Sequence, residues 1–130
     1  MAEGLAPKLP LYVNSTDSAY ALIKDVETLA KQNLKNLILT GPGERVMIPE
    51  YGVGVRRMLF EPISPQTRAT LRQRIVDQIA KYTPYILISK LDVTTTDKDA
   101  RTQDNTIYIT LVYKIRGLAA KSQSLNIEVV

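Results

Sequence analysis

Two carboxylates in the most motif-dense part of the chain, Glu50 and Glu61, are the side chains best suited to doing chemistry. A pair of this kind can cleave a glycosidic bond, one acting as proton donor and the other as nucleophile or base. Sequence spacing does not give their separation in space, and a plainer role is open to both. Glu50 can accept hydrogen bonds within a turn and Glu61 can do so before Pro62, with Arg45, Arg56 and Arg57 as available partners. Other chemistries are removed by composition. The chain has no cysteine and no histidine, which excludes thiol nucleophiles, Ser-His-Asp triads, disulfide frameworks and the common zinc sites. Gly41-Pro42-Gly43 lacks the Lys-Ser/Thr of a phosphate-binding loop, and Gly52-Val53-Gly54 lacks the third glycine of a dinucleotide site, so these glycines read as turn residues. No cofactor is expected.

Charge is a mild basic excess, unevenly distributed. The 17 basic and 13 acidic residues leave a net +4, and the basic residues concentrate between Arg45 and Lys81, where Arg56, Arg57, Arg68, Arg72 and Arg74 also fall. Only Tyr51 and Phe60 interleave with them, too few aromatics for a base-stacking platform, so nucleic acid is not expected. A solvated face is the default reading of these charges, with a protein interface as the alternative, since paired arginines such as Arg56 and Arg57 are favoured there. Tyr82 and Tyr85, around Pro84, fit either an interface or a core plug with a wet hydroxyl. No stretch approaches the roughly 18 consecutive apolar residues of a membrane span, and no basic-then-apolar leader opens the chain. A soluble protein without a membrane partner is expected.

The elements that must position these residues follow from periodicity. At 130 residues with 45 % apolar and 23 % charged residues, the chain has the makings of one globular domain with a core of its own. Residues 1–17, with Pro7 and Pro10, read as an extended N-terminal arm that a partner would order. Leu29, Ala30, Leu34, Leu37 and Ile38 mark one face of a helix over 28–39, with Ala19 as the earliest start, and Thr40-Gly41-Pro42-Gly43 ends it. A second helix starts with Ser64 as N-cap and Pro65 in the first position. It carries Leu71, Ile75, Ile79 and Tyr82 on one face, and ends near Tyr82, before Pro84.

Beyond Pro84 the period becomes two. Leu87, Ser89, Leu91, Val93 and Thr95 alternate in one strand, and Ile107, Ile109, Leu111, Tyr113 and Ile115 in the next, joined as an antiparallel hairpin by the polar loop Asp97 to Asn105. Residues 124–130 alternate again, either as a third strand at the sheet edge or as an arm for another chain's sheet. The fold class expected is α+β, a small single domain with two main helices on one face of an antiparallel sheet. Its parts are the arm at 1–17, the domain at 18–117 and a C-terminal strand or tail at 118–130.

The run from Asn36 to Pro62 is more specific than any of these features alone. A helix ending in leucines and Thr40 is followed by Pro42-Gly43-Glu44-Arg45, then Pro49-Glu50-Tyr51-Gly52, then Leu59-Phe60-Glu61-Pro62 leading into a helix. In that order the steps closely resemble the baseplate wedge, or sheath-initiator, family of contractile phage tails and related injection machines. The helix, proline and alternating strands continue the resemblance to residue 117. One departure stands out: where the family commonly has Glu-Pro-Arg, used at the junction with neighbouring wedge proteins, this chain has Thr83-Pro84-Tyr85.

The resemblance implies a structural, non-enzymatic subunit, present in multiple copies around the tail axis, residing in the particle's baseplate and assembled in the host cytoplasm. Its implied partners are wedge proteins and the tail sheath protein, with the tail tube as a further candidate. The contact residues expected are Pro49, Glu50, Tyr51, Gly52, Arg56, Arg57, Phe60, Glu61, Thr83, Pro84, Tyr85, Leu125, Ile127 and Val129. The last three would set the register of a strand offered to sheath subunits, because a one-residue slip turns them outward. Deleting residues 124–130 would then abolish sheath recruitment and leave the domain folded. Two competing roles remain: a lysozyme-like cell-wall hydrolase using Glu50 and Glu61, an activity historically attached to the family, and a regulatory anti-adaptor, since one that protects a sigma factor resembles the same fold.

Overall fold

A computed structural model of the chain describes residues 3–17, 19–62, 64–96, 106–118 and 121–129. The chain forms two compact units, residues 1–33 and 34–130. In the first, strand β1 (Ala6–Pro7) pairs antiparallel with β2 (Leu22–Ile23), and Val13 bridges Tyr20 farther out. Asp17 fastens the connection between them. Its carboxylate pairs with Lys24 Nζ at 3.0 Å and accepts the Leu22 N–H at 3.3 Å and the Asn14 side-chain amide at 3.1 Å. The Lys24 hydrogen bond, followed by that of Leu22, holds this carboxyl below its usual range. Gln32 clamps the incoming chain, accepting from the Leu9 N–H at 3.0 Å and donating to the Pro7 carbonyl at 3.1 Å. The stretch expected as a free arm is therefore paired within its own unit. The prolines favour extended backbone there, but β2 supplies the ladder that an arm would lack.

Helix α1 (Val26–Leu39) starts later than the earliest expected position, because Leu22 and Ile23 are committed to β2. Asp25 sets the start: its carboxylate accepts the Thr28 N–H at 2.9 Å, the N-cap arrangement. The hydrogen bond from the Thr28 hydroxyl, followed by that from its N–H, holds the Asp25 carboxyl below its usual range.

In the second unit the last turns of α1 bury Leu34, Leu37 and Ile38 completely, and the helix stops before Gly41-Pro42-Gly43 as expected. A one-turn helix, α2 (Val55–Met58), follows; it is too short to leave a periodic signature in sequence. Helix α3 (Pro65–Tyr82) has the expected cap, with Ser64 Oγ accepting the Thr67 N–H at 3.1 Å, and it buries Leu71, Ile75 and Ile79.

The sheet is antiparallel in the order β3 (Ile86–Thr96), β4 (Thr106–Ile115), β5 (Gln123–Val129), which makes β4 the central strand. Every second residue of β4 from Ile107 to Ile115 is buried. Val129, Ile127 and Leu125 lie opposite Ile107, Ile109 and Leu111 and are buried with them. The expected alternation in β3 needs one correction. A bulge between Ile88 and Lys90 shifts the register, so Ile86 and Ile88 face Ile115 and Tyr113, while Leu91 and Val93 face Leu111 and Ile109. Leu87 is thereby turned outward, 44 % exposed, and the buried face passes from even to odd residues at the bulge. The expected loop Asp97 to Asn105 and the final residue Val130 lie outside the described residues.

The terminal strand thus contributes Leu125, Ile127 and Val129 to the core of the second unit. This overturns the expectation that residues 124–130 can be deleted without harm to folding: the deletion would uncover one side of β4 and empty three core positions.

Candidate functional site

Residues 40–54 form a turn built on the end of α1. The Val53 N–H donates to the Leu37 carbonyl at 3.1 Å and the Gly54 N–H to the Thr40 carbonyl at 2.9 Å, so backbone from this turn satisfies acceptors that a helix end leaves open. The base of the loop is closed by the Gly43 N–H donating to the Pro49 carbonyl at 2.7 Å. Gly52 has φ +111° and lies against the Thr40 carbonyl, where a Cβ would collide. At the tip, Val46 and Met47 are 93 % and 92 % exposed.

The turn is fastened to the last turns of α3. Gln78 spans it, its side-chain oxygen accepting the Gly52 N–H at 3.0 Å and its NH₂ donating to the Glu50 carbonyl at 3.1 Å. Glu50 Oε2 pairs with Lys81 Nζ at 2.7 Å. The Tyr51 ring meets Tyr82 edge-on, with centroids 5.0 Å apart, and the Arg45 guanidinium lies 4.0 Å above Tyr51. Lys81 extends the stack, 5.3 Å from the Tyr82 centroid. The Lys81 hydrogen bond holds the Glu50 carboxyl below its usual range, and the same bond raises Lys81. Burial pushes the Tyr51 phenol up, with the Arg45 charge acting against it.

Placed against expectation, Pro49, Glu50, Tyr51 and Gly52 converge with the end of α3 and with Thr83-Pro84-Tyr85. Thr83 is buried there, its hydroxyl donating to the Ile79 carbonyl at 2.9 Å, and the Tyr85 carbonyl accepts the Arg116 N–H at 2.9 Å. The arginine partners proposed for Glu50 are replaced by Lys81. Arg45 sits on Tyr51 instead, and Arg57 donates to the Pro42 carbonyl at 3.0 Å. Gln78 and Lys81, which anchor the turn, were legible only as polar residues of α3; nothing local in the sequence tells that they bind a turn 28 and 31 residues upstream.

Phe60, 91 % exposed, and Glu61 lie at the other end of α3, just ahead of its N-cap. Lys81, the partner of Glu50, and the start of α3 are separated by a rise on the order of 20 Å along the helix. Glu50 is thus tied to the C-terminal end of α3 and Glu61 precedes its N-terminal end, which is not the paired arrangement that shares one glycosidic bond. Among the described residues no three acidic side chains cluster to hold a metal, and no helix is long and apolar enough to cross a membrane. The site is a packed corner that fixes the surface of residues 49–52 against the end of α3.

A second candidate region is the sheet edge. On β3 the strand is kinked by the bulge at 88–90 and carries Lys90 paired with Asp92 at 3.0 Å, and α3 packs against the strand. Bulges, charges and covering helices are the devices that discourage strand addition. The outer edge of β5 has no bulge and a single charged residue, Glu128: seven consecutive residues pair in unbroken register with β4 on one side, and among the described residues no strand pairs on the other.

Comparison with known proteins agrees with this architecture. The family model for the baseplate wedge protein gp25 matches residues 25–119. No curated protein matches the chain at a significant level. A chain in the baseplate of the anti-feeding prophage is 24 % identical, with a TM-score of 0.66 over 86 % of this chain and 85 % of that one. A chain in the postcontracted baseplate of pyocin R2 is 21 % identical, with a TM-score of 0.57 over 82 % of this chain and 99 % of that one. A Geobacter sulfurreducens protein given the provisional description of tail lysozyme is 21 % identical, with a TM-score of 0.65 over 84 % of this chain and 94 % of that one. These three likenesses are likenesses of fold. With most of its length matched by the family model, the chain belongs to the baseplate wedge protein gp25 family.

Proposed function

We propose that the chain is a structural, non-catalytic subunit of a contractile-tail baseplate that contacts neighbouring wedge proteins and starts the sheath by offering the free edge of β5 to a sheath strand. The observation that carries the reading is the asymmetry of the sheet: β3 is interrupted by a bulge, whereas β5 runs in unbroken register and, among the described residues, has no strand on its outer side. Leu125, Ile127 and Val129 act here by fixing β5 on the core, so that the edge is rigid and its register defined. The wedge contact falls on the corner made by residues 49–52 and 83–85, with Arg57, Phe60 and Glu61 as a second contact area ahead of α3 and Arg56 beside the β5 cleft. Without the charges of the family's Glu-Pro-Arg, the Thr83-Pro84-Tyr85 step keeps the position of that contact but not its ion pair. In the particle the chain takes its place in multiple copies around the tail axis, after assembly in the host cytoplasm, with the tube as a neighbour.

The test mixes purified chain, alone and with its wedge partners, with the cognate sheath protein and images the product by negative-stain electron microscopy. Rings or tubes that form only when the chain is present are expected. Equal sheath assembly with and without it, in a complete wedge set, would sink the nucleating role. The hydrolase reading finds no support at Glu50, whose carboxyl is held below its usual range by the Lys81 hydrogen bond rather than raised as a proton donor needs.

A further inference from the structure

We infer that the strand received by β5 is acidic, placing carboxylates between Lys35 and Arg56. The inference rests on the sheath-strand reading above and adds the chemistry of the strand. A cleft of about 430 Å³ runs beside the β5 edge, lined by Lys35 and Leu39 of α1, Arg56 of α2 and residues 126–129 of β5. Both cations are exposed, and neither forms an ion pair among the described residues. The acidic residue of this stretch, Glu128, does not compensate them: it alternates with buried Ile127 and Val129, so it lies on the other face of the sheet. There its carboxylate accepts the Tyr108 hydroxyl at 3.3 Å.

Among the described residues, the helix side of the β5 edge therefore presents positive charge without an ion-pair partner next to an outer row of backbone groups with no neighbouring strand. A strand added to that edge continues the pleat of the sheet, and every second side chain turns toward the helix side, where Lys35 and Arg56 stand. Lysine or arginine at those positions would meet like charge. An apolar side chain would take water from the two cations without replacing it. A carboxylate gains charge-assisted hydrogen bonds from both, and Arg56 can bind it in two-pronged fashion. Two cations are too few to track a nucleic-acid backbone, whose binding rests on many phosphate contacts. The geometry selects a peptide, and the charge selects an acidic one.

The experiment measures binding of the cognate sheath protein to the full chain by biolayer interferometry, at low and high salt. Wild type is compared with the double variant Lys35→Glu/Arg56→Glu and with the milder Lys35→Gln/Arg56→Gln. Both positions are at the surface, and circular dichroism verifies that the variants fold. Charge reversal should weaken binding at least tenfold at low salt and neutralisation should weaken it less, with both differences shrinking as salt screens the contact. Reversing the acidic residues of the sheath segment to lysine should restore binding to the Glu double variant. Equal affinity for wild type and both folded variants would overturn the acidic-strand inference while leaving the sheath reading in place. Absence of binding by wild type would overturn the sheath reading and this inference with it.

Discussion

Replacing Ile75 by Asp should cost the second unit about 4 kcal/mol or more and leave little folded protein at 37 °C. Ile75 is fully buried at the middle of the α3 stripe, one turn from Leu71 and one from Ile79. A carboxylate there has no basic partner on the stripe, so it must either ionise in an apolar setting or carry a proton, and both are costly. Against a total stability of about 5–15 kcal/mol, such a loss is a large share of the whole. Val76, the next residue, is 37 % exposed, and Val76→Asp should change stability by no more than about 0.5 kcal/mol. Urea unfolding followed by circular dichroism measures both. Similar midpoints for the two variants would mean that the buried face of α3 is wrongly assigned.

Gly52→Ala carries the second large effect, through the backbone. At φ +111° an L residue is strained wherever it stands, and here its Cβ would also run into the Thr40 carbonyl. That carbonyl cannot simply withdraw, since it holds the Gly54 N–H at 2.9 Å and ties the turn to the end of α1. We expect a loss of about 3 kcal/mol, the sum of strain and of a displaced turn. Gly43→Ala is the control: its φ is +88°, but a Cβ there meets open space, and the cost should stay near 1 kcal/mol. A displaced turn also carries Glu50 away from Lys81 and Tyr51 from Tyr82, so the Gly52 variant should lose wedge contacts that the Gly43 variant keeps. Equal destabilisation by the two would show that the close approach to Thr40 contributes nothing.

The parts of the fold that were readable from sequence are those where one residue type has one physical use. Ser64-Pro65 marks a helix start because the hydroxyl caps and the imino acid has no N–H to leave open, and the alternation in β4 follows from a sheet with one buried face. The bulge in β3 was hidden because Leu87, Ser89 and Leu91 satisfy a strict alternation on paper, and only pairing with Tyr113 and Val112 exposes the slip. Strands β1 and β2 were missed because two-residue strands are held by their partner rather than by their own pattern. Asp25 was a signal available and unused: an aspartate three residues ahead of Thr28, just before an apolar-periodic run, is an N-cap pattern.

The site was legible in outline. Pro49-Glu50-Tyr51-Gly52 drew attention as a motif, and it does form the corner, but its anchors Gln78 and Lys81 come from a helix far along the chain. Long-range contacts of this kind leave no local trace, which is also why the sequence marks Arg56 as a contact residue but not its placement with Lys35 beside β5. The terminal strand was recognised by alternation, while its place in the core depended on register with β4.

The most direct test of the account is backbone hydrogen exchange across β5 in the free chain and in the chain bound to sheath protein. In an edge strand alternate amides point away from the neighbouring strand and exchange with solvent, whereas those bonded to β4 are protected. On sheath binding the outward-pointing amides between Gln123 and Val129 should slow by at least an order of magnitude, while the amides along the outer edge of β3 stay as they were. Sheath bound at full affinity with the β5 amides exchanging at their free rate would contradict strand addition at this edge.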